Sequence, residues 1–277
     1  MEIKIQKTTA PKQKPTDETK LGFGHIFTDH MFLMDYTAGE GWHDARIVPY
    51  GPWEMDPATT VFHYAQEIFE GMKAYTAEDG RIVCFRPDLN AARMAESCKR
   101  LKMPVYPEDK FVDAVIQTVR ANAAWVPPFG SGATLYIRPF MFGYDSIIGV
   151  KPANEYQFRV FATPVGPYFK GGVKPLTVRI SDLDRAAPRG TGHVKAGLNY
   201  AMSLFPDKGF IHKGPIHSSS DIGLNGRKLM NAAYPMGNSH GGMVCVKGQW
   251  YIFDHRRTGK TTNRQPVAER IEIKEDG

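Results

Sequence analysis

Cysteine is scarce in this chain, and the few that occur do not pair. Cys84, Cys98 and Cys245 stand far apart among 277 residues, which argues against a disulfide framework and against a zinc site. Reduced thiols in a cytoplasmic protein are the expectation. Long apolar runs are missing: nothing approaches the roughly 20 residues of a membrane helix, and the opening Met1 to Lys7 has no signal-peptide core. Clustered basic charge is missing too. The net charge of +6 is spread along the chain, so it favours anionic small molecules rather than a nucleic-acid partner. With 42% hydrophobic and 23% charged residues, the composition excludes wholesale disorder and predicts one or two domains with real cores.

What is present reads as α/β. Residues 7 to 20, rich in Lys, Thr, Pro and Gln, read as a mobile arm. His25 to Tyr36 reads as a strand or strand pair interrupted at Asp29-His30, with His30 a hydrogen-bonded core or turn histidine. Arg81 to Phe85 is a short strand, and Pro87 opens a helix with Asp88 in its first turn and Leu89, Ala92 and Met94 as apolar face. Arg93 lies on that helix, where a solvated arginine is the plain expectation. The spacing of Phe111, Val112, Val115, Ile116, Val119 and Ala123 predicts a second helix over Glu108 to Trp125, ended by Pro127-Pro128. Ala133 to Met141 reads as a buried strand with Tyr136 and Arg138 on one face. A guanidinium on an interior face needs a partner, either a structural ion pair or a substrate carboxylate. Glu155 to Val165 is the next strand; Gly166 to Gly172 reads as an interdomain linker, with Lys174 to Ile180 starting a second domain.

The stretch from Arg185 to Tyr200 organises the rest. It holds one lysine, Lys195, in an uncharged run that starts at Gly190 and is loosened by Gly190, Gly192 and Gly197. A lysine attacks carbonyls once its ammonium has lost a proton, and pyridoxal phosphate enzymes use such a lysine as their Schiff-base anchor. A surface lysine in a Gly-rich loop is the competing reading. The nucleotide phosphate loop does not fit, because the four-residue spacer and the following Ser or Thr are lacking.

Four blocks of residues then carry a resemblance. They are His63-Tyr64 with Phe69 to Tyr75; Phe85-Arg86-Pro87 with Asn90 and Arg93; Leu135 to Pro139; and Gly190-Thr191-Gly192 through Lys195 to Asn199-Tyr200. From about Leu21 to Leu204 the chain resembles the branched-chain amino-acid aminotransferases, pyridoxal phosphate enzymes of fold type IV. The resemblance implies a small domain over 21–165 and the start of a large domain over 173–206. It makes Lys195 the catalytic lysine, Tyr200 the partner of the cofactor's phenolate oxygen and Arg93 the ligand of its phosphate, where a planar fork of donors suits paired oxygens. Tyr64, Phe69, Tyr136 and Arg138 would line the substrate pocket, whose apolar walls select leucine, isoleucine and valine. The implied reaction passes their amino group to 2-oxoglutarate, in a homodimer, with no metal.

After Leu204 that resemblance stops, and no residue is found for an acidic partner of the pyridine nitrogen. Glu269, Glu272 and Glu275 read as a solvated polar tail. From Gly214 to Ile271 the chain resembles instead the last blade of five-bladed propeller glycoside hydrolases, through Asp221-Ile222-Gly223, Gly237 to Gly242 with His240, and Gly248 to Phe253. Met243 to Val246 and Trp250 to His255 are expected to pair as a hairpin. Residues 207–277 are therefore expected to be an unrelated segment, which makes the whole either a truncated aminotransferase, a non-catalytic chimeric fragment or a carbohydrate-active remnant. Hydrolysis by one blade is disfavoured, since it requires two facing carboxylates.

Overall fold

A computed structural model describes residues 1–167, 186, 189–204, 242–246, 249–257 and 264–271. The chain divides into two compact units, Met1–Gly172 with Leu183–Pro206, and Val173–Asp182 with Asp207–Gly277. In the first unit the order is β1 (Lys4–Ile5), β2 (His30–Thr37), β3 (Gly41–Pro49), α1 (Thr60–Tyr64), β4 (Glu67–Phe69), β5 (Met72–Thr76), β6 (Ile82–Cys84), α2 (Pro87–Arg100), α3 (Glu108–Ala121), β7 (Thr134–Gly143) and β8 (Glu155–Val165). The second has β9 (Gly242–Val246), β10 (Gln249–Arg257) and β11 (Arg264–Ile271). The class is α/β, as the sequence predicts.

An eight-stranded sheet runs β1-β3-β2-β8-β7-β5-β6, with β4 also on β7. Its pairings are antiparallel except for β1 on β3. Alternation along the strands sorts the two faces. Phe32, Ile68, Leu135, Ile137, Met141, Phe158 and Val160 are buried on one face, in a cluster with Met94 and Cys98 of α2 and Phe111 and Val115 of α3. The apolar stripe of α2, Ala91, Met94, Ala95 and Cys98, falls at i, i+3, i+4 and i+7. The opposite face carries Glu67 and Phe69 on β4, Tyr136, Arg138, Phe140 and Phe142 on β7, and Arg159 and Phe161 on β8, as the cross-strand pairs Phe69 with Phe140 and Phe140 with Arg159 require.

On that face Arg159 is buried, and among the described residues no carboxylate bonds to it. Its Nε and Nη2 donate to Gln157 Oε1 at 3.0 and 2.6 Å, and the guanidinium lies 3.7 Å from the centre of the Trp53 ring. Burial pulls its pKa down to about 10.

Four local outcomes differ from the sequence expectations. On α2 Leu89 is exposed, and of the expected apolar face Leu89, Ala92 and Met94 only Met94 lies in the buried stripe. The second helix stops at Ala121, with a separate 3₁₀ turn at Ala123–Trp125. Asn122 explains the break: its Nδ2 donates to the carbonyls of His30 and Thr118 and its Oδ1 accepts the His30 N–H at 3.0 Å, so its side chain serves β2 instead of continuing the helix. The N-terminal segment is bonded to the body at several points. Lys4–Ile5 pair with β3, the Thr8 N–H donates to His30 Nε2 at 3.0 Å and the Lys12 N–H to Asp29 Oδ1 at 2.8 Å. The tail read as solvated contains β11, with Glu269 opposite Ile252 of β10; its polar composition hides the strand.

In the second unit β11, β10 and β9 form an antiparallel sheet, and the expected hairpin is present with Gln249 opposite Val246. Lys174 to Ile180, Asp221 to Gly223 and His240 lie outside the described residues, as do Glu272 and Glu275. Among the described residues no helix is long and apolar enough to cross a membrane.

Candidate active site

The site forms where the Gly-rich stretch meets β4 and α2. Ala196 bridges Ile68 antiparallel, and the Phe69 N–H donates to the Lys195 carbonyl at 3.1 Å. This register sets Lys195 opposite Phe69 and Gly197 opposite Glu67. On the other flank the Lys195 N–H donates to Ser97 Oγ at 3.2 Å, and Ser97 Oγ donates to the carbonyl of Arg93 one turn earlier. The lysine backbone is thus fixed between a strand and the turn of α2 that carries Arg93.

Asn199 holds the loop itself. It is buried, and its Nδ2 donates to the carbonyls of Thr191 at 2.7 Å and Val194 at 2.9 Å while Oδ1 accepts from Thr191 Oγ1 at 2.8 Å. Arg100 Nη2 adds bonds to the carbonyls of Arg189 and Gly190. A loop with three glycines is costly to order, and these polar ties offset that cost.

Within this frame the Lys195 Nζ donates to the Tyr200 hydroxyl at 3.1 Å and stands 4.4 Å from the centre of the Phe69 ring. The Phe69 and Tyr200 rings are 5.2 Å apart. Arg138 lies over the same Phe69 ring at 4.6 Å, and its Nε and Nη2 donate to the Tyr136 hydroxyl at 3.2 and 3.0 Å. Among the described residues it has no salt bridge. Five of the residues singled out in the sequence, Phe69, Tyr136, Arg138, Lys195 and Tyr200, therefore form one cluster. Tyr64, at the end of α1, has its ring contact with His63, and among the described residues no hydrogen bond or ring contact joins it to the cluster.

Arg93 is tied to Glu70. Its Nε and Nη2 donate to the two carboxylate oxygens at 2.7 and 2.6 Å. Glu70 is fully buried while the Arg93 side chain is 54% exposed, so the arginine is neither the solvated residue of the plain reading nor wholly interior. The bond to Glu70 holds its pKa above the ordinary value. Its exposed part opens on a cleft of about 660 Å³ that Ser97, Arg100 and His193 also line. Asn90 Nδ2 donates to Glu70 Oε2 at 2.8 Å.

Glu70, Asn90 and Asn199 lie in the blocks that carry the resemblance yet have no role legible in sequence, and Glu67 lies outside those blocks. Asn90 and Arg93 are three apart on a helix and so share a face; that spacing was the available signal. Gly71 has a packing reason: a Cβ there falls inside van der Waals contact of the Tyr136 hydroxyl and 3.0 Å from its Cζ. Gly71→Ala is expected to displace the Tyr136 ring together with the Arg138 fork that leans on it, at about 1–3 kcal/mol in a urea titration. A stability within experimental error of the parent contradicts this packing.

No family model matches the chain. A branched-chain-amino-acid aminotransferase of Mycolicibacterium smegmatis is 47% identical over 208 residues, which are 74% of this chain and 56% of that protein. One from Mycobacterium tuberculosis is 50% identical over 184 residues, 66% of this chain and 50% of that protein. Branched-chain-amino-acid aminotransferase 2 of Bacillus subtilis is 43% identical over 203 residues, 73% of this chain and 55% of that protein. The chain spans about half the length of these curated relatives. Among solved structures, a branched-chain aminotransferase of Escherichia coli aligns with a TM-score of 0.47 at 28% identity, over 62% of this chain and 53% of the other.

Proposed function

We propose that this chain binds pyridoxal phosphate through Lys195 and transfers the amino group of leucine, isoleucine or valine to 2-oxoglutarate. The observation that carries the reading is the Lys195 amine held between the Phe69 ring and the Tyr200 hydroxyl, on a backbone tied one turn from Arg93. The donor set fits the cofactor: an amine for its aldehyde, a phenol hydroxyl beside that amine, and a half-exposed guanidinium opening on a cleft for its phosphate.

When bound, the cofactor supplies the electron sink that makes the substrate's α-carbon acidic. The chain's own residues do the rest. Lys195 Nζ is the covalent anchor and carries the proton taken from the substrate; Tyr200 Oη accepts its hydrogen bond and orients it. Phe69 closes one side and excludes water. Arg138, backed by the Tyr136 hydroxyl, offers its charge to a substrate carboxylate. Among the described residues no acid is assigned to the cofactor's ring nitrogen. A homodimer, a cytoplasmic location and a place for Tyr64 in the pocket are carried over from the resemblance as part of the same proposal.

The full chain, given pyridoxal phosphate, leucine and 2-oxoglutarate, is expected to form glutamate, and Lys195→Ala to form none. Cofactor binding that needs Lys195 without glutamate formation selects the non-catalytic fragment instead. For residues 207–277 we propose separate descent from a propeller hydrolase. The three-stranded meander supports one blade, and one blade supplies no facing pair of carboxylates.

A further inference from the structure

Glu70 closes the turn after β4. Its N–H donates to the Pro139 carbonyl of β7 at 2.7 Å, and the residue is fully buried. Three neighbours hold its carboxylate. Arg93 bonds to both oxygens, Asn90 Nδ2 donates to Oε2 at 2.8 Å, and the Gly71 N–H donates to the same oxygen at 3.3 Å. The acid is therefore fixed to sheet and helix alike before any ligand arrives.

A guanidinium has five N–H donors in a rigid plane, which give two paired edges and one single donor. Glu70 occupies the edge made by Nε and Nη2. The edge made by Nη1 and the second Nη2 hydrogen remains, and among the described residues no hydrogen bond from Nη1 is found. In a planar group, filling one edge fixes where the other points. Arg93 is 54% exposed beside an enclosed partner and lines the cleft, so the open edge lies on the cleft side. Two other cations of that cleft are engaged. Lys99 pairs with Glu96, and Arg100 gives Nη2 to the carbonyls of Arg189 and Gly190.

We propose that Glu70 is the positioning residue of the phosphate site, holding Arg93 so that the open edge of the guanidinium meets two phosphate oxygens. The inference rests on the reading of Arg93 as the ligand of the cofactor's phosphate. Two effects of the acid oppose each other. Its charge repels a phosphate, but that phosphate stands across the guanidinium from it, where screening weakens the repulsion. Without Glu70, the ligand itself has to order a long, half-exposed side chain, and this costs affinity. Ordering outweighs repulsion.

The test compares pyridoxal phosphate with pyridoxal, which lacks the phosphate, on the full chain. Binding is followed by the absorbance change that Lys195→Ala lacks. Arg93→Ala is expected to lower the preference for pyridoxal phosphate most, and Glu70→Gln to lower it about fivefold while leaving pyridoxal within about twofold. In the Arg93→Ala background Glu70→Gln should change nothing further, because the acid acts through the arginine. Glu70→Asp keeps the charge and the pair but draws the guanidinium back by one methylene. It should also lower the preference, and it carries the test if Glu70→Gln does not fold. An unchanged preference in both Glu70 variants, with the two aldehydes weakened alike, would overturn the inference and leave Glu70 a merely structural acid. A preference that rises in Glu70→Gln would overturn it as well, since repulsion would then outweigh ordering. If Arg93→Ala leaves the preference intact, the reading of Arg93 as phosphate ligand fails, and if neither aldehyde shows a change that depends on Lys195, the cofactor reading itself fails.

Discussion

Arg93→Ala is expected to destabilise the protein by about 3 kcal/mol, seen as a fall in melting temperature of about 10 °C. The size follows from the unequal burial of the pair: Glu70 is fully enclosed and Arg93 half-exposed. Removing the arginine strands a carboxylate that, among the described residues, retains Asn90 and the Gly71 N–H. Removing the acid instead returns a guanidinium to water. Glu70→Leu should therefore cost less than Arg93→Ala, although it deletes the same ion pair. Equal losses would mean that Glu70 is better hydrated than its burial states. Arg93→Lys tests the fork: one ammonium cannot reproduce two parallel bonds, so it should recover only part of the stability.

Asn199→Ala is the second large effect. Its three side-chain bonds close the loop before Lys195, and truncation takes the Asn199 donor from the buried Val194 carbonyl while the Thr191 carbonyl keeps the Val194 N–H. The expected cost is about 2–4 kcal/mol, with pyridoxal phosphate affinity falling at least about tenfold because the loop no longer fixes Lys195. Asn199→Asp separates the contributions. It keeps the acceptor for Thr191 Oγ1 but loses both donors to carbonyls, so it should be as damaging as alanine. If Asn199→Asp behaves like the parent, the donors to Thr191 and Val194 do not hold the loop.

Much of the first unit was legible because its signals are local. The alternation in β8 gave the bounds Glu155–Val165 that the structure has, and Pro87 with Asp88 marked the start of α2. The end of α3 was not legible, since the helical spacing runs on to Ala123 while Asn122 is drawn away by His30, 92 residues distant in sequence. Polar segments misled for the same reason. Thr8 and Lys12 look solvated until the side chains of His30 and Asp29, brought near by the fold, accept their N–H groups.

At the site, Lys195 stood out in its uncharged run and Tyr200 came from the resemblance, and the structure joins them by a hydrogen bond. Glu70 and Arg93 are 23 residues apart, on the turn after a strand and on a helix, and no periodicity links them. Glu67 was invisible for a plainer reason: a glutamate in a short strand looks like an exposed edge residue until Gly197 is placed beside it.

The most direct test of the central claim is covalent. The full chain is incubated with pyridoxal phosphate, reduced with borohydride and digested, and the peptides are weighed by mass spectrometry. The account predicts that the mass of a reduced pyridoxyl phosphate group appears on Lys195, and that Lys195→Ala carries none above the scatter over surface lysines. Label spread over many lysines in the parent, with none enriched at Lys195, would contradict it.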